Sequence, residues 1–263
     1  MTRNEIYQIF GSLPLPFDIW NLFEYYELTP NMRQKDDEQF YNLLNRIRVG
    51  VPTNEDIDLL KKNLIGIEDK TKKVEEAAQF YGNKISDEPE MVCLLPTIEQ
   101  TNKFNYEVTK LLKIDTIIIN AEDSNVKTFK KRTTSTTKRL KKKKSKDTAG
   151  LEDCIEIGIN SRVMLRKNII FEKGLVNGAL GYITKINKEN NSYVQSLSVL
   201  FDGHTTPIKI ERFRSEYELF KNIYITRSQF PICLAWGMTI HKSQGLTLKS
   251  ILVDLSMMFL LFF

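Results

Sequence analysis

The reading turns on Ile232-Cys233-Leu234-Ala235-Trp236-Gly237-Met238-Thr239-Ile240-His241-Lys242-Ser243-Gln244-Gly245-Leu246-Thr247-Leu248. An apolar run enters a turn rich in hydroxyls, with a lysine, a glutamine and a glycine. If Pro231–Trp236 is a buried parallel strand, this turn lies at a strand's C-terminal end, where open α/β sheets hold their ligands. The Thr239 and Ser243 hydroxyls, the Lys242 ammonium and the Gly245 N–H are donors suited to phosphate oxygens. An ordinary polar loop is the plainer alternative.

Two neighbouring patterns imitate nucleotide-site signatures without meeting them. Gly237 to Lys242-Ser243 approaches a phosphate loop, but no glycine precedes the lysine and the spacing is one residue short. Bulky Ile240 and His241 would obstruct the backbone cradle such loops need. Ile251-Leu252-Val253-Asp254 approaches a metal-holding strand, but no second acid follows, and an aspartate there reads as a cap or turn former.

Upstream, Phe40, Leu43, Leu44 and Ile47 recur at helical spacing in a helix that Gly50 ends. Thr53, with Asp56 three residues on, opens a second helix striped by Leu59, Leu60 and Leu64. Met91–Leu95 is a compact apolar strand, and Thr97 caps a helix with Phe104, Val108, Leu111 and Leu112 on one face. Strand, helix and further apolar strands make the α/β pattern. Beyond Gly150 come short β-runs: Ser161–Leu165, Gly181–Ile186, and a hairpin of Ser196–Phe201 with Thr206–Ile210 around Asp202-Gly203. These suggest a small barrel-like module inside the larger domain, with His204 at the surface beside the turn. Ser250–Leu255 then returns the chain to a parallel sheet.

The composition, 41% hydrophobic and 27% charged, is that of a globular domain. Cys93, Cys154 and Cys233 form no paired motif, so neither a metal site nor a disulfide-linked partner is expected. The N-terminus lacks a secretory signal's apolar core and no run is long enough for a membrane span, which predicts an intracellular protein. The net charge is +5, yet Lys127 to Lys146 alone holds 11 positive residues and no acid, leaving the remainder at −6. Such a run, with Lys141, Lys142, Lys143 and Lys144 at its centre, serves as a non-specific nucleic-acid contact or a nuclear import signal, or is simply a solvated loop. With two histidines and no nucleophile–base grouping, independent hydrolytic catalysis has no evident machinery.

The run from Ala235 to Leu248 resembles motif V of the Pif-type (petite integration frequency) DNA helicases of superfamily 1B. Three other segments agree in order. Glu27-Leu28-Thr29-Pro30-Asn31-Met32-Arg33-Gln34, with Phe40 and Leu43 to Gly50, is similar to the motif IV region. Leu94-Leu95-Pro96-Thr97, with Asn102 and Asn105, is similar to the opening of the second RecA-like lobe. Arg162 to Asn168, with Gly174 to Gly178 and Gly181, is similar to the start of the small SH3-like 2B module.

The resemblance implies an incomplete P-loop NTPase helicase: residues 1–66 from the first lobe and motif IV region, 67–120 opening the second lobe, and 121–153 a basic loop. The 2B module and its connections would take 154–225, and 226–263 would return to the second lobe with motif V. The implied activity is ATP-dependent 5′-to-3′ DNA unwinding, with ATP, Mg²⁺ and single-stranded DNA. Arg33 would reach the γ-phosphate. Thr239, His241, Lys242 and Ser243 would hold the strand, with Gln244 and Gly245 coupling it to the nucleotide, and Asn177 and Gly178 would shape the adjoining loop. The nucleus is the implied location, with the mitochondrion or cytoplasm as alternatives. Walker A, Walker B and motif VI have no counterpart in the sequence, which predicts no independent ATPase. A non-catalytic strand-binding remnant and a gene-model fragment are the competing readings. The apolar end Met257–Phe263 is expected to promote aggregation.

Overall fold

The computed structural model describes residues 23–26, 37–66, 73–128, 150–189, 193–220 and 223–254, and the chain divides into two compact units, Met1–Ile65 and Gly66–Phe263. In the first, Asp37 caps α1 (Glu38–Arg48) by accepting the Phe40 N–H at 2.9 Å. α2 (Asn54–Lys62) begins at the expected capping box: Thr53 Oγ1 accepts the Asp56 N–H at 3.2 Å, and Asp56 accepts the Thr53 N–H at 2.9 Å. Two N–H groups that no helical carbonyl can reach are thereby satisfied. Asp56 also accepts both Arg46 Nε and Nη2 at 2.6 Å, which ties α1 to α2. The expected apolar faces are only partly buried. Leu43 is buried, whereas Phe40, Leu44, Leu59, Leu60 and Leu64 are exposed and α2 buries Asp56 instead.

The second unit opens with α3 (Lys73–Lys84), β1 (Val92–Leu95) and α4 (Ile98–Leu111). Thr97 caps α4 through the Gln100 N–H at 3.2 Å, as its position after Pro96 predicts. The chain continues through β2 (Thr116–Asn120), β3 (Glu122–Thr128), β4 (Cys154–Gly158), β5 (Arg162–Leu165), β6 (Leu180–Glu189), β7 (Tyr193–Phe201) and β8 (Ile208–Glu211). It then runs through β9 (Phe213–Phe220), β10 (Ile223–Gln229), β11 (Ile232–Leu234), β12 (Gly237–Thr239), α5 (Ile240–Ser243) and β13 (Ile251–Val253). β1 lies between β12 and β13 in a parallel sheet, while β11-β5-β6-β7-β8 form an antiparallel one. β2 pairs with β4, and β10 lies between β3 and β9.

The expectation of one parallel strand over Pro231–Trp236 is incorrect. Ile232–Leu234 pairs antiparallel with β5, and the parallel strand is Gly237–Thr239. A continuous apolar run says only that both faces are covered. Here the cover changes along the segment: Ile232 joins the core of the antiparallel sheet, Trp236 that of α3, β1 and α4, and Cys233 and Ala235 a third core between them. The chain thus crosses between sheets within one apolar segment. Glu122–Thr128, read from sequence as loop, is also a strand, fixed by Arg227 donating to both Asp123 carboxylate oxygens at 2.7 Å.

The third core is what positions the site. Val92 and Leu94 of β1 and Met238 of β12 meet Met164 and Leu180 of the antiparallel sheet, with Leu246 and Leu248 packed against them. Trp236 braces the same junction, its ring edge-on to Tyr81 at 6.2 Å and to Tyr182 at 5.9 Å. Burying such large rings fixes the junction strongly, since truncating a buried tryptophan costs about 3–5 kcal/mol.

Candidate nucleic-acid interface

β1 and β12 run in register, with Leu95 opposite Thr239, so Pro96-Thr97 and the Thr239–Gly245 turn leave the sheet at the same edge. The approach is close because residue 237 has no side chain: a Cβ there would lie 2.8 Å from the Phe104 ring and 2.9 Å from Leu95 Cδ1. Buried Asn105 occupies the remaining contact, donating to the Gly237 carbonyl at 3.1 Å and accepting the Gly237 N–H at 2.8 Å.

Within the turn, Thr239 is buried at the start of α5 and His241 is exposed. Lys242 and Ser243 are half-buried, and the Ser243 hydroxyl donates to the Ile240 carbonyl at 2.8 Å, which engages the proton that the sequence offers to a phosphate. Gln244 and Gly245 are exposed; Gly245 adopts φ +88°, a left-handed conformation that glycine takes without a Cβ penalty. The Leu246 N–H returns to the Ser243 carbonyl at 3.0 Å and closes the turn.

The second segment comes from the β5–β6 connection. Asn177 is exposed, its N–H donated to Asn168 Oδ1 at 2.7 Å, and the Gly178 N–H bonds the Leu165 carbonyl at 2.8 Å. Gly178 has φ +100°, and a Cβ on it would lie 2.7 Å from Leu246 Cδ2. Asn177-Gly178 and the Thr239–Gly245 turn are therefore neighbours, joined through one glycine and one leucine.

Glu152 and Arg166, which were not read as site residues from sequence, lie within electrostatic reach of Lys242. Arg166 pairs with Glu152 at 3.8 Å and points a guanidinium N–H at Cys233 Sγ, 3.7 Å away. Burial pushes the Glu152 carboxyl up, while Arg166 and Lys242 pull it the other way. Burial likewise raises the Cys233 thiol, so it is a packed, unreactive side chain. No sequence spacing links Glu152, Arg166 and Lys242, which explains why the group was not legible. Arg33 and Lys141 to Lys144 lie outside the described residues, as do Glu27–Gln34 and Met257–Phe263. Asp254, the imitation of a metal-holding strand end, is buried and paired with Lys73. Its carboxylate is thus already neutralised, a poor fit to a Mg²⁺ ligand. Among the described residues no three His, Cys, Asp or Glu side chains cluster as a metal site, all three cysteines are free thiols, and no helix is long and apolar enough to cross a membrane.

No family model matches the chain. Over 108 residues it is 39% identical to the ATP-dependent DNA helicase PIF1 of Xenopus laevis, an alignment covering 40% of this chain and 16% of that protein. The crystal structure of Pif1 helicase from Candida albicans superposes with TM-score 0.58 at 20% identity, covering 87% of this chain and 50% of that one. Pif1 from Bacteroides in complex with ADP-AlF3 and single-stranded DNA gives TM-score 0.51 at 25% identity, covering 88% and 46%. The mixed α/β fold is that of part of a DNA helicase, roughly half of each solved chain. The protein is a homologue of the Pif1-family DNA helicases that spans only part of those relatives.

Proposed function

We propose that this chain supplies the strand-holding part of a Pif1-type helicase. β1, β12 and β13 with α3 and α4 form the second RecA-like lobe, and the antiparallel strands form its inserted SH3-like 2B module. The Gly178–Leu246 contact carries the reading, because it unites two segments far apart in sequence at the ligand-bearing edge of a parallel sheet. Lys242 and the exposed His241 would hold successive phosphates, Gln244 and Gly245 would couple that grip to the nucleotide, and Asn177 would stand on the opposite side. Rigid support matters here: Asn105 fixes β12 and the third core fixes the turn, so the donors are held in place before a strand arrives.

In the whole helicase, this grip would couple to ATP and Mg²⁺ during 5′-to-3′ unwinding, with Arg33 on the γ-phosphate. The 263-residue sequence contains no G-x-x-x-x-G-K-[ST] pattern, and phosphoryl transfer needs a phosphate cradle, metal ligands and an arginine finger together. This chain alone is therefore assigned strand binding without ATP turnover. The basic run and the family relationship support a nuclear location.

Fluorescence anisotropy of labelled single-stranded DNA against salt tests the reading. The logarithm of affinity should fall linearly with the logarithm of salt, and Lys242→Ala should reduce the slope by about one. Absence of binding at low salt, or a slope unchanged by Lys242→Ala, refutes it.

A further inference from the structure

Beside the Gly178–Leu246 contact opens a cleft of about 240 Å³ between the β5–β6 connection, the β7–β8 turn and the segment after α5. Leu180, Phe201, Leu246 and Leu248 give it apolar walls, and Asn177, Asp202, His204 and Thr247 contribute polar groups. His204, at the surface beside the turn, is half-buried there, its ring edge-on to Phe201 at 6.4 Å.

Charge restricts what can enter. Among the described residues no lysine or arginine lines the cleft, and its acidic side chain is that of Asp202. Asp202 is held in place by Arg162, which is fully buried and donates Nη1 and Nη2 to its two oxygens at 2.6 Å each. A phosphate would find no lysine or arginine partner there. A flat, largely apolar group with hydrogen-bonding edges would meet apolar walls, an imidazole and acceptors in fixed positions. The volume is below the roughly 300–1,000 Å³ of drug-sized ligand sites, a size suited to one ring system. Leu246 and Thr247 follow directly on the turn assigned to the phosphates, so a group attached to that backbone is the one delivered here.

We infer that this cleft is a subsite for a single unstacked nucleobase of the strand held by the Thr239–Gly245 turn, with His204 as its base-contacting residue. The inference rests on the strand-holding function proposed above and adds to it a position at which the base, as well as the backbone, is sensed. His204 is the informative residue, because Asp202 is committed to the Arg162 pair and Leu246 to the Gly178 contact.

The test is an abasic walk with the full chain: a short oligonucleotide carries one abasic site, moved nucleotide by nucleotide, and anisotropy reads affinity at fixed salt. One position should lose affinity roughly tenfold, as expected for the loss of one base contact. At that position a 2-aminopurine should change its fluorescence on binding. His204→Ala should remove the penalty of the abasic site while leaving the salt slope unchanged, because no phosphate contact is lost. The walk itself needs no variant, so a poorly folding His204→Ala protein does not obscure the result. Strand binding with the same affinity at every abasic position overturns the subsite and leaves the strand-holding reading intact. Absence of strand binding overturns both.

Discussion

Asn105 and Gly237 lie 132 residues apart in the chain and exchange two hydrogen bonds, one in each direction. The pair joins the middle of α4 to the strand that delivers the Thr239–Gly245 turn. Asn105→Ala leaves a buried N–H and a buried carbonyl without partners, and each such group costs about 1–3 kcal/mol. A destabilisation of about 3 kcal/mol is expected in chemical denaturation. Gly237→Ala should cost about 1–3 kcal/mol by overpacking against Phe104 and Leu95. Asn105→Asp, which sets a buried carboxylate against the Gly237 carbonyl, should destabilise at least as much as Asn105→Ala at neutral pH; a variant as stable as wild type would contradict the role given to the donor.

The Arg162–Asp202 pair makes a second prediction about stability. Burial works against the Arg162 charge, yet the Asp202 hydrogen bonds and the charge interactions, that of Asp202 foremost, together outweigh it and raise the guanidinium above its ordinary value. Asp202→Ala strands a fully buried cation, a loss of about 3–5 kcal/mol for enclosed pairs. Because Asp202 is partly exposed, about 3 kcal/mol is expected, and Tm measured by circular dichroism should fall accordingly. The Arg162→Met, Asp202→Ala double variant should recover part of that loss, since no charge remains buried.

Acid should loosen the first unit through Asp56. The Arg46 hydrogen bonds and then the Thr53 N–H hold its carboxyl well below the usual carboxylate range. A group whose folded value is depressed contributes stability that is complete above its unfolded value, near 3.9, and declines as pH falls toward the folded value. Amide exchange in α1 and α2 should therefore accelerate as pH drops below about 4, after correction for intrinsic rates. Asp56→Asn should already exchange faster at neutral pH and lose most of the acid dependence. An unchanged pH profile in Asp56→Asn would assign the acid response to other groups.

How much of this was readable in sequence depends on the range of the interaction. Thr53-Asp56 and Thr97-Gln100 are caps within four residues, and both are present as spacing predicts. The phosphate-suited turn also stands at the end of a parallel strand, although that strand is Gly237–Thr239 and not Pro231–Trp236. Hydropathy could not locate the crossing at Ala235-Trp236, because both sheets bury the chain equally well. Asn105 was legible only through family resemblance, since nothing local marks it as the partner of Gly237. The Glu152, Arg166 and Lys242 group, the β3 strand and the cleft around His204 depend on segments brought together by tertiary packing, for which sequence has no period.

The basic run makes a prediction separate from that for the Thr239–Gly245 turn. Replacing Lys138–Lys146 with Gly and Ser should flatten the salt dependence of strand binding by several counterions, because each displaced counterion adds to the slope. A fusion lacking Lys127–Lys146 should also lose nuclear accumulation relative to the intact chain. Unchanged slope and unchanged distribution would leave the run without either role.

The contact between Gly178 and Leu246 permits the most direct test of the interface. Alanine at 178 introduces two separable penalties: a Cβ at positive φ, about 1–2 kcal/mol, and a collision with Leu246 Cδ2 at 2.7 Å. The first stays within the β5–β6 connection, whereas the second pushes on Leu246 and, through it, on the turn that ends at Gly245. Leu246→Ala removes the collision partner and leaves the backbone strain. Gly178→Ala should therefore weaken single-stranded DNA binding more than Leu246→Ala does, and the double variant should bind better than the sum of the two losses predicts. A coupling of about 1 kcal/mol is expected, within the range seen for residues in contact. Stability measured on the same four proteins separates the backbone strain, which both Gly178→Ala proteins retain, from the displaced turn, which only the single variant shows. Strictly additive effects on DNA binding would mean that the two segments are neighbours without acting as one interface.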